Sequence, residues 1–492
     1  MRVRLAWLLA ATLLCSACSD EQETTGLTGS GGSGGSAGSA GTTSTGGAAG
    51  SGGATSTGGS AGAGGGTGGV CSCADSGCDE PTPNRFVDPS HAQASDSNDG
   101  SAAAPWATLG HAATEAVAGD VVAVRAGTYT EGLDVAVSGA PGSRVVFMAH
   151  PDDAGAVILD GKGIRIVGQS HVEVRGFRVQ NCDDVGEHDA TGIRIRGIEG
   201  GPTVEDIVVV KNHTYRTYSS GISAWGVPWQ TDPGDFQRIS GLVIGCNLVE
   251  YANDGGYNEQ ITVAYGVVNF EIHHNELRNQ DATPNGGEGI DVKEGCAFGS
   301  IHHNYIHDIL RRGIYIDGGG RSSYSSPTHD IDVYANVVHD APNGFALMSE
   351  AGADVSNIRV YNNLFHHLEF DGAFIYDHPN AAADPGEFSN IEFVNNTFWD
   401  CARNGLDFNS EHVTGLWADN NILSTYRDRF DLATETANLV GGDPQFVSAD
   451  DYHLSPTSPG VDAGSGTRAP AVDIEDQPRP QGAGYDQGAY ER

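Results

Sequence analysis

The chain is poor in cations: lysine and arginine number 26 against 64 aspartates and glutamates in 492 residues, a net charge of −38 with histidine neutral. A surface this acidic repels nucleic acid and anionic membrane, so neither is an expected partner. Long apolar runs are scarce as well. The run at residues 5–14 is too short to stay in a bilayer as a helix, and no later segment approaches about 18 consecutive apolar residues. A dense leucine consensus is absent, which excludes a leucine-rich-repeat solenoid.

What is present begins with Arg2 and Arg4 ahead of that apolar run, followed by Cys15-Ser16-Ala17-Cys18, the layout of a secretory signal peptide. The small residues before Cys18 resemble the lipobox of bacterial lipoproteins, although Cys15 stands where that family usually has leucine. The resemblance implies residues 1–18 as signal peptide and lipidation at Cys18. It also implies a protein on the outer membrane or cell surface that touches lipid through its anchor alone. A plain signal peptide cut near Ala17, releasing a secreted protein, is the alternative. Residues 19–80 read as a tether, because 26–69 are almost entirely Gly, Ser, Ala and Thr and cannot bury apolar surface. At its end Cys71, Cys73 and Cys78 are expected to be oxidised rather than to hold zinc, given export.

Beyond the tether, two signatures recur with a period of roughly 24 to 35 residues, the range of repeat architectures. The first is glycine followed by alternating apolar residues, as in Gly289-Ile290-Asp291-Val292 and Gly313-Ile314-Tyr315-Ile316. Each reads as a short strand with one face inward. The second is a strand ending in asparagine, as at Asn247, Asn275, Asn304, Asn336, Asn363, Asn396 and Asn421. Asparagine tolerates a left-handed turn, and its amide can bond to the turns above and below, so a stacked column is expected. Short strands plus an asparagine corner predict an all-β chain, a parallel β-helix of single-strand turns, over 81–440.

The ends add a resemblance. Phe86-Val87-Asp88-Pro89, Asn98-Asp99-Gly100, Pro105-Trp106-Ala107-Thr108-Leu109 and the stretch to Thr128-Tyr129 resemble the opening segment of secreted right-handed β-helix proteins of the pectate-lyase-like superfamily. Residues 106–117 are expected to form a capping helix over the open solenoid edge. Asp443-Pro444-Gln445-Phe446 and Ser458-Pro459-Gly460-Val461-Asp462-Ala463-Gly464 resemble the closing segment of that superfamily, expected over 441–492.

Successive coils of such a solenoid lie about 4.8 Å apart, so aligned repeats map a surface. With Ile261, Ile290 and Ile314 in register, Thr262, Asp291 and Tyr315 form one outward column. Lys293 and Asp317 fall in the next, and Glu259, Glu288 and Arg312 stack just before the strands. Carboxylates stacked one coil apart repel, which points either to calcium held by Glu259, Glu288 and Asp291 or to neutralisation by Arg312 and Lys293. Gly287-Glu288-Gly289-Ile290-Asp291-Val292-Lys293 resembles the motif of β-helical polysaccharide lyases of the chondroitinase B and alginate lyase type. That resemblance implies Glu288 as a calcium ligand, Lys293 as base and Arg312 as the neighbouring arginine, although Arg312 precedes its strand. A salt bridge from Lys293 to Asp317 is the competing expectation. Tyr315 is a candidate proton donor, and Trp225 and Tyr257 are candidate sugar platforms. Asp317 and His378 complete the candidate substrate contacts, His378 because Tyr376-Asp377-His378-Pro379 resembles a motif of β-helical alginate epimerases. The histidine pairs 273–274, 302–303 and 366–367 are expected to be a polar turn stack rather than a transition-metal site.

The expected protein is therefore a monomeric, surface-anchored, calcium-assisted lyase of an acidic polysaccharide. The alternatives are a non-catalytic glycan-binding solenoid, or a glycoside hydrolase using Asp291 and Asp317.

Overall fold

The structure, a computed structural model, describes residues 80–492 except 184–189, 228–238, 256–257, 281–285, 320–326, 351 and 379–384. The chain divides into two units, Met1–Val70 and Cys71–Arg492, and every described residue lies in the second. Cys18, the tether up to residue 79, Cys71, Cys73, Cys78 and Tyr257 lie outside the described residues.

Three parallel sheets, of 13, 12 and 11 strands among the described residues, run the length of this unit. Each coil visits them in the same order: Ile239–Gly245 in the first sheet, Leu248–Ala252 in the second and Ile261–Ala264 in the third. The next coil repeats the path with Val267–His273, Glu276–Arg278 and Ile290–Lys293. This is a parallel β-helix, and its interior is one continuous apolar column. Ile261, Ile290 and Ile314 align across coils and are fully buried, as are Val263, Val292 and Ile316.

The glycine signature has a steric origin. A Cβ on Gly289 would lie 2.5 Å from the Gly313 carbonyl oxygen, and one on Gly344 would lie 2.4 Å from that of Gly372. The next coil's backbone already fills that space.

The asparagine column is present, with a different division of labour from the one expected. The left-handed residue is the one before each ladder asparagine: His274 at φ 52°, His303 at 53° and Ala335 at 51°. The ladder asparagine itself is buried and satisfies backbone. Asn304 Oδ1 accepts from the Asn275 backbone N–H at 3.1 Å and side-chain amide at 3.0 Å, while Asn304 Nδ2 donates to the Ile272 carbonyl at 2.9 Å. The pattern repeats from Asn212 to Asn438. A tight corner leaves backbone groups unpaired, and the amide pairs them.

At the N-terminal end a helix spans Leu109–Glu115, shorter than the predicted 106–117 because Thr108 accepts from the His111 N–H and caps it. It buries Leu109, Ala112 and Ala113 against the core. At the other end an antiparallel hairpin, Phe446–Ser448 with Asp451–Leu454, leads into a segment that lies along the asparagine corner. There Asn362, Asn395 and Asn420 donate to the carbonyls of Val472, Asp486 and Ser465. Of the described cysteines, Cys182, Cys296 and Cys401 are free and buried, whereas Cys246 is disulfide-bonded. No helix among the described residues is long and apolar enough to cross a membrane.

Candidate functional site

The third sheet gathers the reactive side chains because its inward positions are filled by isoleucine and valine, which sends the alternate positions outward. Thr262, Asp291 and Tyr315 align as expected, and Lys293 lies opposite Asp317. Arg312 is the first residue of its strand, Arg312–Asp317, rather than a residue ahead of it.

Lys293 does not reach Asp317. Its Nζ donates to Asp291 Oδ2 at 2.6 Å and to Glu259 Oε1 at 3.2 Å. The other Glu259 oxygen accepts from Thr262 Oγ1 at 2.6 Å. Burial pulls the Lys293 ammonium toward neutrality, but Asp291 and Glu259 override it and hold the pKa well above the usual lysine range. Two carboxylates on the ammonium favour its protonated form, whereas a base must be neutral. Asp291 feels burial most and is pushed up, against the opposing pull of Lys293.

Glu288 is engaged elsewhere. Its Oε1 accepts from Arg312 Nη1 at 2.7 Å and lies 3.2 Å from Arg311 Nε, and despite burial this pair holds its carboxyl below the ordinary value. The three expected calcium ligands are thus divided between an ammonium and two guanidiniums. Asp291 Oδ1 is a buried orphan, a single oxygen where calcium takes six to eight. Among the described residues no group of three or more His, Cys, Asp or Glu is arranged to hold a metal. The residues as placed do not fit a calcium cage.

A second cluster adjoins the first and centres on Glu350, a residue the sequence reading passed over. Tyr315 O–H donates to Glu350 Oε1 at 3.3 Å, and His378 Nε2 lies 3.8 Å from the same oxygen. The Glu350 backbone N–H donates to Asp317 Oδ1 at 2.9 Å. Arg312 stacks over the Tyr315 ring at 5.0 Å. Asp317 and Tyr315 are themselves buried, which removes Asp317 as a direct sugar contact and turns the Tyr315 hydroxyl toward Glu350 rather than outward. Burial, then Glu350, pushes the Asp317 carboxyl well up; burial also raises Tyr315. Burial lowers the His378 imidazole, opposed by Glu350 and helped by Arg312 and Arg311, which favours its neutral form. Arg311, at 39% exposure, is the open cation of the group.

A register signal for Glu350 exists. Ser349 aligns with Asp377, so Glu350 and His378 both follow that aligned pair by one residue. Of the expected platforms, Trp225 is half-buried and makes an edge contact with Tyr265 at 5.8 Å. Two of the histidine pairs stack, His273 on His302 at 5.4 Å and His274 on His303 at 4.8 Å, with His302 on Tyr334 at 4.7 Å, whereas the pair 366–367 lies on the second sheet, where His366 stacks on His339 at 4.9 Å. Burial lowers His273 and His303 to about 4, as suits a packed neutral turn.

No protein-family profile matches the chain. It is 26% identical over 325 residues to the uncharacterized protein YwoF of Bacillus subtilis (strain 168), covering 56% of this chain and 62% of YwoF. It is 25% identical over 201 residues to pectate lyase B of Dickeya chrysanthemi, covering 39% and 48%. The chain thus spans less than two thirds of either relative. Among solved structures, pectate lyase Pel9A superposes with a TM-score of 0.53 at 14% identity, over 84% of this chain and 97% of that one. XylC in complex with xylose gives 0.53 at 12% identity, over 83% and 98%. With its three parallel sheets, the chain is a right-handed parallel β-helix of the architecture seen in pectate lyase Pel9A.

Proposed function

We propose that the protein is an exported, surface-anchored enzyme that cleaves a uronate-containing polysaccharide by β-elimination at the Glu350 cluster. The observation that carries this reading is the His378 imidazole held 3.8 Å from the Glu350 carboxylate, with Arg311 and Arg312 near enough to disfavour its charged form. Similarity to a pectate lyase supports the reaction class.

Elimination removes the weakly acidic proton beside the uronate carboxylate, so that carboxylate must meet a cation while a base takes the proton. Arg311 supplies the exposed cation. His378 takes the C5 proton, the C4–C5 double bond forms as the C4–oxygen bond breaks, and the imidazolium returns the proton to the departing oxygen. Glu350 stabilises the imidazolium between the two transfers, and Tyr315 and Asp317 position Glu350. Lys293 neutralises Asp291 and Glu259 beneath the site.

His378→Ala is expected to lower release of ultraviolet-absorbing unsaturated products from acidic polysaccharides by about 10²–10⁴-fold, with folding retained. Full activity in that variant defeats the reading. Glycan binding without any product favours a binding module instead, and products without a double bond favour a hydrolase.

A further inference from the structure

The first sheet carries a groove of about 520 Å³, separate from the third-sheet cluster, that the elimination reading does not use. Its outer wall is Phe298, 55% exposed, whose ring makes an edge contact with His329 at 5.1 Å. Its floor is Phe270, which reaches the groove because Gly299 above it has no side chain; a Cβ there would lie 2.1 Å from the Phe270 ring.

Phe298 is at odds with the column it stands in. It stands in a column of left-handed residues that bends the first sheet once per coil: Asn269 at φ 53°, Phe298 at 56°, Asp330 at 54°, Asn357 at 55° and Asn390 at 57°, with Gly241 and Gly415 further out. Asparagine, aspartate and glycine tolerate that conformation, whereas a bulky ring is strained in it. A strained, exposed aromatic where each of these neighbours is small or polar points to a use for the ring.

The groove's other groups say what the ring meets. Asn357 Nδ2 donates to Asp330 Oδ1 at 3.0 Å and Asn390 Nδ2 donates to Asn357 Oδ1 at 2.7 Å, which makes a ladder of planar hydrogen-bonding groups beside the ring. Asp332 and Ser300, aligned on adjacent coils, face the same space. The lining cation, Arg359, is spent on Glu392 at 3.2 Å and on the Arg468 carbonyl at 2.6 Å. An aromatic face with planar amides and carboxylates suits the apolar face and hydroxyls of a pyranose ring. Asp330 and Asp332 add carboxylates that disfavour a uronate, whereas Glu392 is balanced by Arg359.

We propose that this groove is a second, non-catalytic binding site for an uncharged glycan. The protein then holds two sugars of opposite character, an acidic chain on the third sheet and a neutral one on the first. The assignment stands independently of the elimination chemistry.

The test is calorimetric titration and array binding of the whole protein with neutral oligosaccharides, beside oligouronates. Wild type is expected to bind a neutral oligosaccharide, with affinity reduced at least about 10-fold by Phe298→Ala, by Asp332→Ala and by Ser300→Trp, which fills the groove. All three variants are expected to keep wild-type melting and product release from acidic polysaccharide, whereas His378→Ala is expected to keep neutral-glycan binding. Absence of neutral binding, binding indifferent to these substitutions, or a groove that prefers oligouronate overturns the proposal.

Discussion

The asparagine corner and the third-sheet face are both stacks of polar side chains buried along the same axis, yet they solve burial in opposite ways. At the corner, like stacks on like. An amide carries donor and acceptor together, so Asn275, Asn304 and Asn336 satisfy one another and the bare backbone of the turn with one repeated set of bonds. On the third sheet the stacked residues are unlike: Thr262, Asp291, Tyr315 and then Ala346. No rung there can serve its neighbour by identity, so charges pair sideways, Lys293 with Asp291 and Glu259, Arg312 with Glu288. A self-satisfying column is structure. A column of mismatched charges holds perturbed acids and bases, which is where chemistry becomes possible.

The comparison breaks most severely at Lys293. Lys293→Met leaves Asp291 and Glu259 buried without their cation, a change of the kind that costs about 3–5 kcal/mol. The loss is expected to be largest at alkaline pH and to ease in acid, where Asp291, already pushed up by burial, takes up a proton. Thermal melts at pH 5 and pH 8 measure it; equal losses at both would mean the ion pair carries no such load.

At the corner, Asn304→Ala strands the Asn275 N–H and the Ile272 carbonyl inside the turn, at about 1–3 kcal/mol. Repeat solenoids spread stability between neighbouring coils. Faster amide exchange is therefore expected in the coils on either side of residue 304, with no change in the pH profile, unlike Lys293→Met. Uniform loosening of all coils would contradict a local role for the ladder.

The fold was legible because the solenoid writes the same physical demand many times. The glycine before Ile290 and the one before Ile314 answer the same steric contact, and the asparagines answer the same unpaired backbone, so repetition amplifies a weak local signal. The backbone register of Asp291, Tyr315, Lys293 and Asp317 followed from it. What register does not specify is where a long side chain ends. Lys293 lies opposite Asp317 but turns to Asp291 and Glu259, which place two carboxylates around one ammonium. The Glu350 cluster was hidden for another reason. Glu350 and His378 sit one residue past their strands, where alternation stops marking inside from outside, and their meeting depends on the path of the chain after the strand.

Asp317 sharpens the comparison with the smallest expected effect. Its carboxyl is raised by burial and by Glu350, so the folded chain holds its proton more tightly than the unfolded chain does. That contribution is fully present below the unfolded pKa of 3.8 and is lost as pH rises through the folded value. Above that range the site carries an ionisation penalty. Asp317→Asn keeps the acceptor for the Glu350 N–H and removes the titration. The variant is expected to melt a little above wild type at pH 8, by about 2–4 °C per kcal/mol relieved, and to converge with it as pH falls toward 4. The difference between the two melting curves isolates this one group from the other buried acids and imidazoles, which are common to both proteins. A variant that instead lost stability on raising the pH would show that Asp317 is folded as a carboxylate. It would then belong with the paired charges around Lys293 rather than with the proton-holding groups around Glu350.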